Sequence, residues 1–514
     1  MRNVLLILAL GIATLGTPFP ASRSAAEDPV DIGTRRELFV DEVLIDSLNG
    51  EARQVLHHPV PAEIVFVCDH SWEGNGLNFV SMVDDGKQFR MYYRGAEYDT
   101  FNGYRQIRPE TYCLATSTDG VHWERPNLGI VEYNGSKDNN IVLIRTDPEW
   151  HHASSQFAPF YDTNPDAPES ERFKAIGGLP LWGWASADGI HWKRTEQPLI
   201  TQGAFDTLNV CSWDPVQQEY RIFQRGNRDG RDILTAASKD FHQGWSDSEF
   251  LDYTPSRGGE LYANAIFKYH RAPHYFLGFP TLYVTPGWTP SAKYLPEWEF
   301  RNQRDHANRN YDPGDGYAMT EGHFMASRDG YEFRKYNEAF ARPGLRTKDT
   351  WFYGDMFPGR GVFETRNMMI EDAPNELSLY YQENNLQPGH PSKMRRYTLR
   401  LDGFVSIYAP MAGGRVISKP IRFAGNKLTM NYSSSINGGV RVGLLDEGGE
   451  PIPGHSLEDC PRIFGDQLER PVEWYIDEEG DDVTTDVSPL VGKTVRIVFE
   501  LKDADLYSYK FVNE

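Results

Sequence analysis

Five short segments combine residues able to do acid–base chemistry with residues able to hold a polar ligand. They read Trp72-Glu73-Gly74-Asn75, His151-His152-Ala153-Ser154-Ser155-Gln156, Phe205-Asp206-Thr207-Leu208-Asn209, Glu260-Leu261-Tyr262-Ala263-Asn264 and Trp351-Phe352-Tyr353-Gly354-Asp355. Four of the five carry one carboxylate with an Asn or Tyr close by. Carboxylates that converge on one cavity suit cleavage of a glycosidic bond. One stays protonated to donate to the leaving oxygen; another stays ionised to activate water or attack carbon. Crowding of like charges raises one pKa and divides the roles. On this pattern Glu260 is the candidate general acid, Asp206 and Asp355 are candidates for base or nucleophile and orienter, and Glu73 is the fourth candidate. Asn75, Asn209, Asn264, Tyr262 and Tyr353 are candidates for binding sugar hydroxyls, and His152 for contacting substrate. Arg94 and Arg225 close two matching apolar runs; each could pair with a carboxylate or hold an acidic substrate group.

The elements that would bring these acids together are marked by a recurring turn. Ser117-Thr118-Asp119-Gly120-Val121-His122-Trp123 returns as Ser186-Ala187-Asp188-Gly189-Ile190-His191-Trp192. Looser copies run Ser238–Trp245 and Ser327–Phe333, and Leu401-Asp402-Gly403-Phe404 is a degenerate fifth. Asp-Gly between alternating apolar runs is a strong hairpin signal, because Asp caps the turn and Gly supplies a positive φ. Recurrence at tens of residues predicts a repeat architecture of sheets, hence a β-propeller. The fold class expected is all-β: a five-bladed β-propeller followed by a C-terminal β-sandwich. The expected boundaries are a signal peptide over 1–26, a lead-in over 27–62, the propeller over 63–410 and the sandwich over 411–514. Ile64 to Cys68 is expected in the first blade and Ile141 to Ile144 in the second. An unusual segment between Tyr283 and Thr320, carrying Trp288, Trp298 and Tyr311, predicts an ordered loop over the propeller mouth.

Composition narrows the functional classes. The chain has 514 residues, more than one core usually serves, and 13% aromatic residues available for stacking. Net charge is −21; removing 1–26 takes away Arg2 and Arg23 and no acid, leaving −23. Such a surface repels nucleic acid and anionic lipid, so neither is an expected partner. A charged start, a short apolar run from Val4 to Leu15 and small residues from Ala21 to Ala26 predict export, periplasmic or secreted. Nothing later reaches membrane-spanning length. The four cysteines (Cys68, Cys113, Cys211, Cys460) are too few for a disulfide scaffold; Cys68 and Cys113 could pair, or all could simply be buried. No cofactor or metal is expected. The places where a metal would sit are His57-His58, the acidic run Asp477 to Asp486, or a calcium on the propeller axis.

The turns, the acids set sheet by sheet and the trailing strand-rich region resemble the five-bladed propeller glycosidases: the arabinanase/xylosidase, invertase/fructanase and mannoside phosphorylase families. The resemblance spans about 63–408, and its nearest members are exported glycosidase-like proteins of environmental bacteria. It implies a funnel with three carboxylates, a base or nucleophile and an acid among them. The chain departs from the invertase pattern, with no Trp-Asn-Asp-Pro-Asn and no Arg-Asp-Pro, and its second segment lacks the acid an arabinanase has there. The function so implied is hydrolysis of a poly- or oligosaccharide by an exported glycoside hydrolase. Two alternatives stay open: a non-catalytic carbohydrate-binding propeller, and a polysaccharide lyase acting on uronic acids with a His or Tyr base beside an Arg.

Overall fold

The computed structural model describes residues 28–101, 105–146, 156–310, 314–348, 350–387, 389–477 and 482–513. The segment read as a signal peptide, together with His152 and Tyr311, lies outside the described residues. The chain is all-β, with four four-stranded sheets in a propeller-like arrangement, a seven-stranded sheet between the third and fourth of them in chain order, and an eight-stranded sheet at the far end. Among the described residues no helix is long and apolar enough to cross a membrane.

Each propeller sheet is an antiparallel meander. The first runs outward from Ser81–Asp84 through Phe89–Gly95 and Thr111–Ser117 to Ile141–Ile144. The last of these strands was expected in the second blade, but it pairs with Thr111–Cys113. The second sheet opens on Ala158–Tyr161, the third on Val210–Asp214, the seven-stranded sheet on Ile266–Lys268 and the last on Phe363–Thr365. These opening strands carry buried Phe, Ile, Val and Met and surround the axis.

The last sheet is completed from the other end of the chain. Val60–Val67 pairs antiparallel with Lys393–Arg400 as its outermost strand. Ile64 therefore closes the ring and does not start the first sheet. Much of the lead-in is likewise part of the far sheet: Ile45–Gly50 pairs with Gly414–Ser418 and Arg53–Leu56 with Val405–Ala409, while Val30–Gly33 forms a separate two-stranded parallel pair with Ile421–Phe423. Open edges invite pairing, and here the amino-terminal strands cover edges left by the carboxyl-terminal half.

The repeated turns form as their sequence predicts. Ser117 Oγ accepts the Gly120 N–H at 2.9 Å, and Asp119 Oδ1 accepts the Val121 and His122 N–H groups at 2.8 Å. The Asp188 turn repeats these contacts, with His191 Nδ1 at 2.8 Å from Asp188 Oδ2. Asp402 breaks the pattern. It is fully buried, 3.1 Å from Arg36 and 2.9 Å from Arg271, and accepts the Tyr269 hydroxyl at 2.8 Å. Its Asp-Gly pair is thus an ionic joint between the propeller sheets and the far sheet.

The segment between Tyr283 and Thr320 folds into two helices, α1 (Pro290–Lys293) and α2 (Trp298–Asn308). The buried face of α2 is polar, not apolar. Arg304 pairs with Asp315, Arg301 donates to the Trp351 carbonyl, and Asn308 Nδ2 donates to the Thr100 carbonyl at 2.7 Å. The helix is thereby tied to loops of the first and last sheets.

The turn geometry yields a pH-dependent stability. Burial alone would raise the Asp188 pKa, but bonds from His191 and the Ile190 N–H outweigh it and hold the carboxyl well below its usual range. A depressed carboxyl stabilises above the unfolded-state pKa, and that contribution is lost as pH falls through the folded value. The side chain is half-exposed, so Asp188→Ala should cost only about 0.5–1 kcal/mol at neutral pH. Urea unfolding should show the gap narrowing below about pH 4; a gap that does not change with pH would show that the cap contributes nothing ionic.

Candidate active site

All the candidate acids precede the opening strands, so they lie toward one end of the axis. Two of them share a pocket. Asp206 stands four residues before Val210, and Glu260 begins the two-residue strand Glu260–Leu261. Both line an open cavity of about 440 Å³ with Ala204, Arg225, Asn227, Gly230 and Arg231. Gly230 leaves space for Glu260: a Cβ there would come within 2.8 Å of the Glu260 side chain, and its φ of 93° suits glycine.

Each acid is held by an arginine. Arg225 Nη1 donates to Asp206 Oδ1 at 3.0 Å, and its Nη2 donates to the Tyr262 carbonyl at 2.7 Å. Glu260 Oε2 accepts from Arg231 Nη1 at 2.9 Å and from the Arg231 N–H at 3.2 Å. Beneath them sit tyrosines. The Arg225 guanidinium lies 4.6 Å from the Tyr262 ring centroid, and Arg231 lies 5.0 Å from Tyr262 and 4.4 Å from Tyr283. The Tyr353 hydroxyl donates to that of Tyr262 at 2.6 Å. Glu260 Oε2 is occupied by Arg231, so it can meet a substrate oxygen only if Arg231 is drawn away. The Asp206 side chain is 61% exposed and so open to a ligand.

The other two acids do not join them. Asp355 is buried and accepts the Phe352 N–H at 2.9 Å and the Asn385 N–H at 3.4 Å. Burial pushes its carboxyl up to about 7, against the pull of those two N–H groups. It does not line the shared pocket. Glu73 is also closed off: it accepts from the Tyr93 hydroxyl at 2.5 Å, Arg125 Nε at 2.7 Å and the His70 N–H at 3.0 Å. Arg125 donates on to the Val67 carbonyl, so this cluster pins the ring-closing strand. Asp69, His70 and Glu73 could group around a cation, but Arg125 already supplies the positive charge there.

The asparagines are committed to backbone. Asn75 exchanges two bonds with Tyr98, both at 2.9 Å. Asn209 bonds Phe205, Thr207 and Arg225, and Asn264 bonds Leu208 and Phe223. They hold the site loops in shape. Arg94 is buried between the Phe79 and Tyr98 rings, with Nε donating to the Gly76 carbonyl at 3.3 Å and Nη1 3.8 Å from Glu110. Arg231 and Tyr283 were not among the sequence candidates; the Asp229-Gly230 turn before Arg231 was the available signal. A further polar run, Gln382 to Gln387, holds amide atoms of Gln382, Asn384, Asn385 and Gln387 that are buried without partners among the described residues. All four cysteines are free and buried; Cys68 and Cys113 share one hydrophobic core cluster with no bond between them.

No known protein family matches the chain, and no curated protein does. Solved structures similar to the chain include glycoside hydrolases. A thermostable family-43 glycoside hydrolase is 11% identical, with a TM-score of 0.41 over 69% of this chain and 96% of that one. A glycosyl hydrolase from Bacteroides ovatus is 13% identical, with a TM-score of 0.37 over 72% and 94%. A family-32 β-fructofuranosidase from Bombyx mori is 11% identical, with a TM-score of 0.35 over 89% and 94%. Likeness this remote leaves the chemistry to be argued from the chain's own residues.

The Asp355 environment can be read directly. An acid whose folded pKa lies above its unfolded value destabilises progressively as pH rises between the two, here from about 4 to 7. Asp355→Asn removes that charge while its amide oxygen can still accept the Phe352 N–H. Relative to wild type the variant should gain stability across this window, by at most about 4 kcal/mol. A pH-independent difference in urea midpoint would place a solvated, ordinary carboxylate at this position.

Proposed function

We propose that the protein is a glycoside hydrolase whose chemistry is carried by Asp206 and Glu260 in the pocket floored by Tyr262. The observation that supports this is the pair itself: two carboxylates from neighbouring sheets open into one cavity, and their arginines lie over tyrosine rings that a sugar can cover once it displaces them. In this reading Glu260 donates to the leaving oxygen once substrate has drawn Arg231 off it. Asp206 serves as base or nucleophile, and Asp355 is a buried positioning group. The seven-stranded sheet counts as a fifth blade, and the long strands Lys427–Leu445 and Arg496–Val512 bend to serve both layers of a C-terminal sandwich. The substrate is a poly- or oligosaccharide met after export.

One observation favours a second reading. Arg231 lies over both Tyr262 and Tyr283, which sets tyrosine hydroxyls beside a cation able to neutralise a uronic acid. That is the arrangement a lyase would use.

Purified protein on a polysaccharide panel separates the two: a hydrolase releases reducing ends alone, and a lyase also produces an unsaturated, ultraviolet-absorbing end. On any substrate so found, Asp206→Asn and Glu260→Gln should each lower turnover by about 100-fold or more without changing the melting temperature. Glu73→Gln should lower the melting temperature. Wild-type turnover in either pocket variant removes the assignment.

A further inference from the structure

The axis has a second end. Where the opening strands finish, Asp84, Tyr161, Trp213, Lys268, Glu364 and their neighbours surround an open cavity of about 560 Å³, larger than the pocket of Asp206 and Glu260. It belongs to the end of the axis opposite the candidate acids, and the function proposed above makes no use of it. Its inner wall is formed by Arg360.

Arg360 is 6% exposed, and no carboxylate among the described residues pairs with it. Its Nη2 donates to the Cys211 carbonyl at 2.6 Å and to Ser212 Oγ at 2.7 Å, and its Nε donates to the Ile266 carbonyl at 3.3 Å. A guanidinium has five N–H donors. The two on Nη1 have no acceptor among the described residues. Ser212, having accepted from Arg360, keeps its own hydroxyl proton to give. Two other charged groups at this end are paired: Lys268 lies 3.2 Å from Asp214, and Glu364 accepts from Arg271 at 3.0 Å and from Asn375 at 3.1 Å. Asp84 turns back to accept the Gly86 N–H at 2.8 Å. Arg360 is therefore the one cation lining the cavity without a carboxylate partner among the described residues. Burial lowers its pKa to about 10, the sign of a desolvated cation. Such a group is costly to bury unless an anion meets it. The walls are Phe160, Trp213, Phe267 and Phe363.

We propose that this cavity binds a small organic carboxylate, its two oxygens against Arg360 and Ser212 and its body among Phe160, Trp213 and Phe267. A bare inorganic anion would satisfy the charge but leave the aromatic walls uncovered. A cation would be repelled by the guanidinium.

The test uses the full chain, intrinsic tryptophan fluorescence and two ring compounds of equal size, sodium benzoate and neutral benzamide, at constant ionic strength in sodium chloride. Benzoate should change the signal saturably, and benzamide should bind at least about ten-fold more weakly, since a charge-assisted hydrogen bond is lost. Trp213→Phe should remove the change, which assigns it to this cavity. Arg360→Gln should erase the preference for benzoate. If that variant fails to fold, the benzoate-to-benzamide ratio in wild type, together with Trp213→Phe, still decides. Equal binding of the two compounds, no response to benzoate up to about 10 mM, or a response that survives Trp213→Phe would each overturn the proposal.

Discussion

Arg360 is the contact on which the molecule turns. Its backbone N–H donates to the Val80 carbonyl and its carbonyl accepts the Met82 N–H, both at 2.8 Å, which joins the last sheet to the first. Its side chain then reaches Cys211 and Ser212 of the third sheet and Ile266 of the seven-stranded sheet, and lies 5.7 Å from the Phe160 ring of the second. One residue thus reaches the opening strands of the four-stranded sheets and of the seven-stranded one. Wedge-shaped sheets packed around an axis leave a gap at the centre. Here a guanidinium fills it and donates to two backbone carbonyls and a hydroxyl on two strands instead of leaving them bare.

That plug divides the axis into two ends of different character. At the end where the opening strands begin, carboxylates and arginines alternate around tyrosines. Tyr262 is the hub: its carbonyl accepts from Arg225, its ring lies under Arg225 and Arg231, and its hydroxyl accepts from Tyr353. The two guanidiniums hold Asp206 and Glu260 at fixed positions while leaving both on open surface. A ligand with hydroxyls can compete for such contacts, and its ring can cover the tyrosines. At the other end Asp214 and Glu364 are absorbed in local ion pairs, and Arg360 is the lining cation left without a carboxylate among the described residues. The ring itself is closed by Val60–Val67, and Arg125, oriented by Glu73, fastens the end of that strand.

What was legible in the sequence was local. The Ser117 and Ser186 turns are made of bonds spanning two or three residues, so the motif contains its own explanation. The placement of acids ahead of four of the five sheets was legible for the same reason, because turn and strand signals set the phase of the repeat. What a side chain does there was not. Glu73 and Asp206 look alike in sequence, yet Glu73 is neutralised by Arg125, 52 residues on, and Asp206 is left half in solvent. Asn75, Asn209 and Asn264 sit where sugar-binding amides would, but nearby carbonyls and N–H groups claim them. The closing strand at Val60 was misread because its partner, at Lys393, lies more than three hundred residues away. Asp402 kept the Asp-Gly signature and lost its role to Arg36 and Arg271, which no spacing announces.

The central claim is that Asp206 and Glu260 form one working pair over Tyr262. It is tested most directly by a crystal structure of the Glu260→Gln variant soaked with an oligosaccharide that the wild type turns over. The account predicts a sugar ring stacked on the tyrosines, with its glycosidic oxygen facing position 260 and Asp206 on the other side of that bond. A sugar seated elsewhere, with Asp206 and position 260 both still bound to their arginines and out of its reach, would contradict it.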